Sequence, residues 1–115
     1  MATNFTEKEH ILLANKSFSS GKIYFEFIAP ADCCGMQMGI MDASCNPRHI
    51  VVKDNKNLLL EQFRTTTPRT IGIQIDFDEL KLRFWLNEIY QFSREKSIKK
   101  DVSYIPCVIF TLPRN

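Results

Sequence analysis

Residues Thr70 to Glu88 read TIGIQIDFDELKLRFWLNE, and two strands joined by a turn are written in them. Ile71, Ile73, Ile75 and Phe77 alternate with Gly72, Gln74 and Asp76; Leu80, Leu82, Phe84 and Leu86 then alternate with Lys81, Arg83, Trp85 and Asn87. An apolar residue at every second position is the pattern of a half-buried strand. With the chain reversing at Asp78 and Glu79, Phe77 opposes Leu80, Ile75 opposes Leu82, Ile73 opposes Phe84 and Ile71 opposes Leu86, so one face is apolar throughout. The other face sets Asp76 against Lys81, Gln74 against Arg83 and Gly72 against Trp85, whose ring is placed to cover the bare glycine backbone. A slip of one residue would turn the isoleucines to water, so the pattern fixes the register.

Outward from this hairpin, further short strands are expected. Lys22 to Ile28 (KIYFEFI) puts Ile23, Phe25 and Phe27 on one face and Tyr24, Glu26 and Ile28 on the other. Met36 to Met41 puts Met36, Met38 and Ile40 on one face. His10 to Ala14, His49 to Lys53, Leu58 to Phe63 and Ile89 to Phe92 read as shorter strands, and Tyr104 to Leu112 as a buried or edge strand around Pro106. Between them lie the polar turn Asn15 to Gly21, the break Pro30 to Gly35, the turn Asp42 to Arg48 around Asn46-Pro47, and the extended connector Thr65 to Pro68. Ser93 to Asp101, SREKSIKKD, is the most charged stretch and is expected to be a solvated loop. Thr6 and Glu9 match a capping box, but with no apolar face to bury, residues 1–9 are expected to form a flexible N-terminal segment. Many short strands at this spacing predict an all-β sandwich or jelly roll in one domain, residues 1–115.

Composition narrows the classes of function. With 115 residues, 44% of them apolar, the chain is long enough for one compact core and too short for two. Fifteen basic and 13 acidic residues are spread along it for a net charge of +2, without the clustered positive charge of a nucleic-acid binder. Arg94, Lys96, Lys99 and Lys100 are interleaved with Glu95 and Asp101 and carry no stacking aromatic, which favours a solvated loop over a phosphate contact. The N-terminus has only a four-residue apolar run, Ile11 to Ala14, and no stretch approaches a membrane span. A cytoplasmic location is therefore expected, with Cys33, Cys34, Cys45 and Cys107 as free thiols.

At this point the residues resemble those of the SPRY domain family. Phe18-Ser19-Ser20-Gly21-Lys22-Ile23-Tyr24-Phe25-Glu26 looks like the family's early F-x-S-G turn and the basic, aromatic strand that follows it. Met38-Gly39-Ile40 resembles its small residue followed by Gly-Ile. Ile71-Gly72, Ile75-Asp76-Phe77-Asp78, Leu82, Phe84-Trp85 and Asn87 match, without a gap, the central motif I-G-x-x-L-D-L-D-x-G-x-L-x-F-x-x-N-G. Tyr104-Ile105-Pro106-Cys107-Val108 resembles its closing strand. There are departures. Leu80 and Glu88 stand where turn glycines are usual, Met41-Asp42 where a tryptophan is frequent, the segment from Asp42 to Arg69 is shorter than is common, and the chain ends soon after Phe110. The resemblance implies a bent sandwich of two antiparallel sheets, of the concanavalin-like jelly-roll type. Its rim loops would bind short segments of partner proteins, with no catalytic residue and no obligatory cofactor.

The residues themselves agree with a non-catalytic reading. Cys33-Cys34, Cys45 and His49 do not have the spacing of a zinc site, and neither His10 nor His49 sits in a catalytic motif. P-loop, dinucleotide and nucleophile-elbow motifs are absent, so no enzyme is expected. Asp76 and Asp78 lie in a tight turn, where carboxylates commonly accept turn amides. Candidate partner-binding residues are Arg48, His49, Arg64 and Arg69, in or beside loops and available to an acidic peptide, together with Trp85 and Tyr90, since tryptophan, tyrosine and arginine dominate binding hot spots. For Trp85 the competing reading is packing against Gly72 or under a loop; for Tyr90 and its neighbour Phe92 it is plugging the core. The expected function is therefore an adaptor or assembly subunit that binds a protein partner, with neither nucleic acid nor membrane as its target. A small lectin-like carbohydrate binder, and a structural subunit that pairs through its edge strands, are the alternatives.

Overall fold

In the computed structural model, residues 9–29, 36–45, 57–63 and 69–111 are described. Among the described residues nine strands form two antiparallel sheets: β1 (Glu9–Leu13), β2 (Lys22–Ala29), β3 (Met36–Asp42), β4 (Leu58–Glu61), β5 (Arg69–Asp76), β6 (Lys81–Leu86), β7 (Ile89–Tyr90), β8 (Lys96–Ser97) and β9 (Tyr104–Thr111). One sheet has the order β1-β9-β3-β4, the other β2-β5-β6-β7 with β8 also on β6. The expected strand at His49–Lys53, the Asn46-Pro47 turn, the break Pro30–Gly35, the connector Thr65–Pro68 and residues 1–8 lie outside the described residues. Glu9, the second member of the expected capping box, already belongs to β1.

The hairpin register is the expected one from Ile71 opposite Leu86 to Asp76 opposite Lys81. Ile71, Ile73, Ile75, Leu82 and Phe84 are buried completely and form the floor of the core, against Met38, Ile40 and Val108 from the other sheet. The turn differs. The ladder ends at Asp76–Lys81, and Phe77 to Leu80 form a four-residue turn instead of pairing across a two-residue one. The favoured two-residue hairpin turns need positive φ at the first central position or at both, geometries that glycine usually supplies and that this turn, with Asp78 and Glu79 at its centre, lacks. Here the Asp78 and Glu79 amides both donate to Asp76 Oδ1, at 3.0 Å each, and only Leu80 takes a positive φ of 57°. Phe77 and Leu80 still pack on the core.

The next turn is tight. Asn87 and Glu88 connect Leu86 to Ile89 with φ of 49° and 70°, the geometry that glycine usually supplies at its second position. Asn87 is anchored, since Thr70 N donates to its Oδ1 at 2.9 Å and its own N donates to Thr70 O at 2.8 Å. Glu88 is exposed and strained. Glu88→Gly is therefore expected to stabilise the domain by about 1 kcal/mol, read as a rise in Tm of roughly 4 °C.

Two other departures concern β3 and the charged stretch. Met38, Gly39, Ile40 and Met41 are all buried, because the outward-facing Met41 joins Leu58, Cys107 and Ile109 in a second apolar cluster. Cys107 is core, and burial pushes its thiol up to about 12. The stretch Ser93–Asp101 is docked and not merely solvated: Phe92–Arg94 form a 3-10 turn, β8 pairs with β6, and Ile98 is buried. Pro106 lies in β9, the strand between β1 and β3. Its carbonyl accepts from Ala14 N at 2.9 Å, so its missing N–H faces the point where β1 has already ended and no bond to β3 is lost.

Candidate functional site

The outer face of the five-stranded sheet carries alternate residues of β2, β5 and β6: Tyr24 and Glu26, Gly72, Gln74 and Asp76, and Lys81, Arg83 and Trp85. Pairing of β2 with β5 and of β6 with β7 lines up an aromatic row across it. Tyr24 meets Trp85 edge-on with ring centroids 5.7 Å apart, Trp85 meets Tyr90 at 5.2 Å, and Tyr90 meets Phe92 edge-on at 6.3 Å. Trp85 and Tyr90 are half-buried, while Tyr24 is 52% and Phe92 79% exposed. The side chain nearest Gly72 is Tyr24, which meets Trp85 edge-on beside it. A Cβ on Gly72 would lie 2.1 Å from the Tyr24 hydroxyl.

Beside the row a charged network holds it in place. Arg83 Nη1 donates to Asp76 Oδ2 at 2.7 Å and to Gln74 at 3.1 Å, Arg83 Nη2 reaches Glu79 at 3.2 Å, and Arg83 Nε lies 3.4 Å from Glu95. Glu95 also accepts from the Tyr90 hydroxyl and sits 3.7 Å from Lys81 Nζ. Burial and the bond to Glu95 hold the Tyr90 phenol above its ordinary value, and burial and Glu26 do the same for Tyr24. Both rings therefore stay neutral hydrogen-bond donors at neutral pH. The Tyr90 bond lowers the Glu95 carboxyl, against the effect of its own burial and with help from Lys81 and Arg83.

Arg94 and Lys96 are engaged elsewhere. Arg94 lies over the Phe63 ring at 4.4 Å and donates to Gln62 O at 3.0 Å, and both cations meet Glu61, at 3.5 and 3.6 Å. These contacts tie the segment after β7 to β4 of the other sheet.

Of the sequence-derived candidates, Arg48, His49 and Arg64 lie outside the described residues. Trp85 and Tyr90 come together on the outer face, whereas Arg69, which opens β5 opposite Ala29, shares the parity of Ile71 and Ile73 and so belongs to the inner face at one end of the sheet. Arg69 Nε is buried with no hydrogen-bond partner among the described residues. Arg83, the cation on the same outer face as Trp85, is spent on Asp76, Glu79 and Glu95. Phe92, weighed with Tyr90 as an anchor or a core plug, is exposed at the end of the row, and Tyr24 joins the row although sequence reasoning did not select it. Tyr24 was recognisable as an outward residue of its strand, but its place beside Trp85 depends on β2 pairing with β5, which no local pattern records.

Among the described residues no group of three or more His, Cys, Asp or Glu side chains could hold a metal ion, and no helix is long and apolar enough to cross a membrane. The Asp42 carboxylate accepts from the amide and hydroxyl of Ser44 at 2.9 and 2.8 Å.

No family model matches the chain, and no curated protein matches it. Solved structures do. The SPRY domain of human HERC1 superposes with a TM-score of 0.69 at 15% identity, covering 92% of this chain and 77% of that one. The PSpry domain of TRIM65 superposes with a TM-score of 0.55 at 16% identity, covering 90% of this chain and 66% of that one. The fold is SPRY-like, an all-β sandwich of two antiparallel sheets.

Proposed function

We propose that this SPRY-like sandwich is a non-catalytic protein-interaction module that receives a short peptide or loop of a partner protein, acting as an adaptor or assembly subunit. The observation that carries the reading is the aromatic row Tyr24-Trp85-Tyr90-Phe92 on a rigid sheet. Rings already held by neighbouring rings and by Glu95 lose little freedom when a ligand covers them, so most of the contact energy goes into affinity. An apolar side chain of the partner would lie against Trp85. A partner carboxylate would pair with the sequence-derived cations Arg48, His49 and Arg64.

Trp85 is the only tryptophan of the chain, so its fluorescence reports on the site itself. The test is affinity purification from the cell of origin, mapping of the retained protein to a synthetic peptide, and titration followed by Trp85 emission. Trp85→Ala, read by calorimetry with its Tm measured alongside, is expected to weaken that peptide about 30-fold while the domain stays folded. Unchanged affinity in a folded variant moves the site off this face. Retention of glycans and no protein would replace the reading with the carbohydrate-binding one.

A further inference from the structure

β2 is the outermost strand of its sheet, and among the described residues its only ladder partner is β5. Phe77 N donates to Gly21 O, one position before the Lys22–Asp76 pair, so Ile23, Phe25 and Phe27 turn their main-chain groups toward β5. The main-chain groups of Lys22, Tyr24, Glu26 and Ile28 therefore point away from the sheet. The side chains match this openness. Ile23, Phe25 and Phe27 face the sandwich yet are only half-buried, and Ile28 is 80% exposed. Along the edge runs an apolar trough of about 410 Å³ between these residues and the Ala14–Phe18 segment, and a second of about 380 Å³ continues it past Leu12 and Ile28. A long, open, aromatic edge is a template for another strand.

The strand's own sequence says which strand. Lys22-Ile23-Tyr24-Phe25-Glu26 is charge-complementary to itself under a two-fold rotation about Tyr24. In an antiparallel pair centred there, Lys22 opposes the partner's Glu26, Tyr24 opposes the partner's Tyr24, and Glu26 opposes the partner's Lys22. All three are positions whose main-chain groups face outward, so each pair exchanges ladder hydrogen bonds. The partner's Ile23 and Phe25 then fall on the inner side, against the apolar trough. A shift by two residues preserves the hydrogen bonds but sets Lys22 against the partner's Ile28, which removes both charge pairs; charge thus selects the register. We infer that two copies of this chain dimerise through β2 in antiparallel register about Tyr24, joining their five-stranded sheets into one continuous sheet.

The test is sedimentation velocity across a range of concentrations, with hydrogen exchange on the same samples. The wild type is expected to dimerise. On dimerisation the Lys22, Tyr24 and Glu26 amides become protected, while Ile23 and Phe25, already bonded to β5, change little. Lys22→Glu and Glu26→Lys each place like charges opposite one another twice, and each is expected to raise the dimer dissociation constant at least about tenfold. Mixing the two variants restores opposite charges at both positions, so they form a heterodimer although neither self-associates. Melting curves establish that both variants are folded. A monomeric wild type overturns the inference, and so does a dimer that neither variant weakens or a mixture that fails to associate. A wild type that stays monomeric while a foreign peptide protects the same three amides would give the edge to another protein and also overturn it.

Discussion

Replacement of Gly39 by alanine is expected to cost about 3 kcal/mol or more, a large part of the 5–15 kcal/mol typical of a folded domain. Gly39 lies in β3 opposite Leu60 of β4 and Cys107 of β9. A Cβ there would lie 1.9 Å from Leu59 O and 2.9 Å from Leu59 C, both backbone atoms that no rotamer change can move aside. β4 would have to leave β3, its only ladder partner among the described residues. With it would go buried Leu58, the acceptor Glu61 for Arg94 and Lys96, and the approach to Phe63, which packs on Phe84 with ring centroids 6.1 Å apart. Gly72→Ala is the internal comparison. There the obstacle is the end of the exposed Tyr24 side chain, which can swing away, so the loss should be smaller. Urea unfolding of both variants measures the difference, and equal losses would mean that the close approach of β3 and β4 is not what Gly39 serves.

The same contrast separates what the sequence discloses from what it does not. The β5–β6 register was legible because both strands and their turn are contiguous, and period-two alternation admits only one apolar alignment. The turn lengths were less so. The missing glycines flagged an unusual geometry, but the choice between two and four residues is made by Asp76, whose carboxylate gathers the Asp78 and Glu79 amides. In β3 the reading of one apolar face missed the second, because Met41 is buried by packing with Leu58, Cys107 and Ile109, residues distant in sequence. SREKSIKKD reads as a solvated loop by charge count alone. Arg94, Glu95 and Lys96 within it find partners at Glu61, Arg83 and Tyr90, on three separate segments. The candidate site follows the same rule: Trp85 and Tyr90 were visible as residue types, whereas Tyr24 enters only through the pairing of β2 with β5.

Asp76→Asn is expected to cost about 3 kcal/mol at neutral pH and to lose that effect in acid. The side chain is 1% exposed and fully engaged: Oδ1 accepts two turn amides and Oδ2 accepts Arg83. An asparagine can serve only one side. With its oxygen toward the turn, its NH2 faces the Arg83 guanidinium, donor against donor; flipped, it faces the two amides. Leaving a buried cation or paired amides without an acceptor is what makes breaking such a contact costly. Burial alone would raise the Asp76 carboxyl, but the Glu79 amide, the Arg83 guanidinium and the Asp78 amide outweigh it, and the native value lies below the ordinary one. The sign then follows. As pH falls, the unfolded chain takes up this proton first, near pH 4, so the stabilisation is complete above that value and is lost as pH drops through the lower native one. Urea unfolding of wild type and variant should show a wide gap at pH 7 that narrows toward pH 2. Glu95, also lowered, leaves a residual acid slope common to both proteins. A gap that stays constant across this range would mean that the carboxylate shapes the turn by fit alone and that its charge contributes nothing.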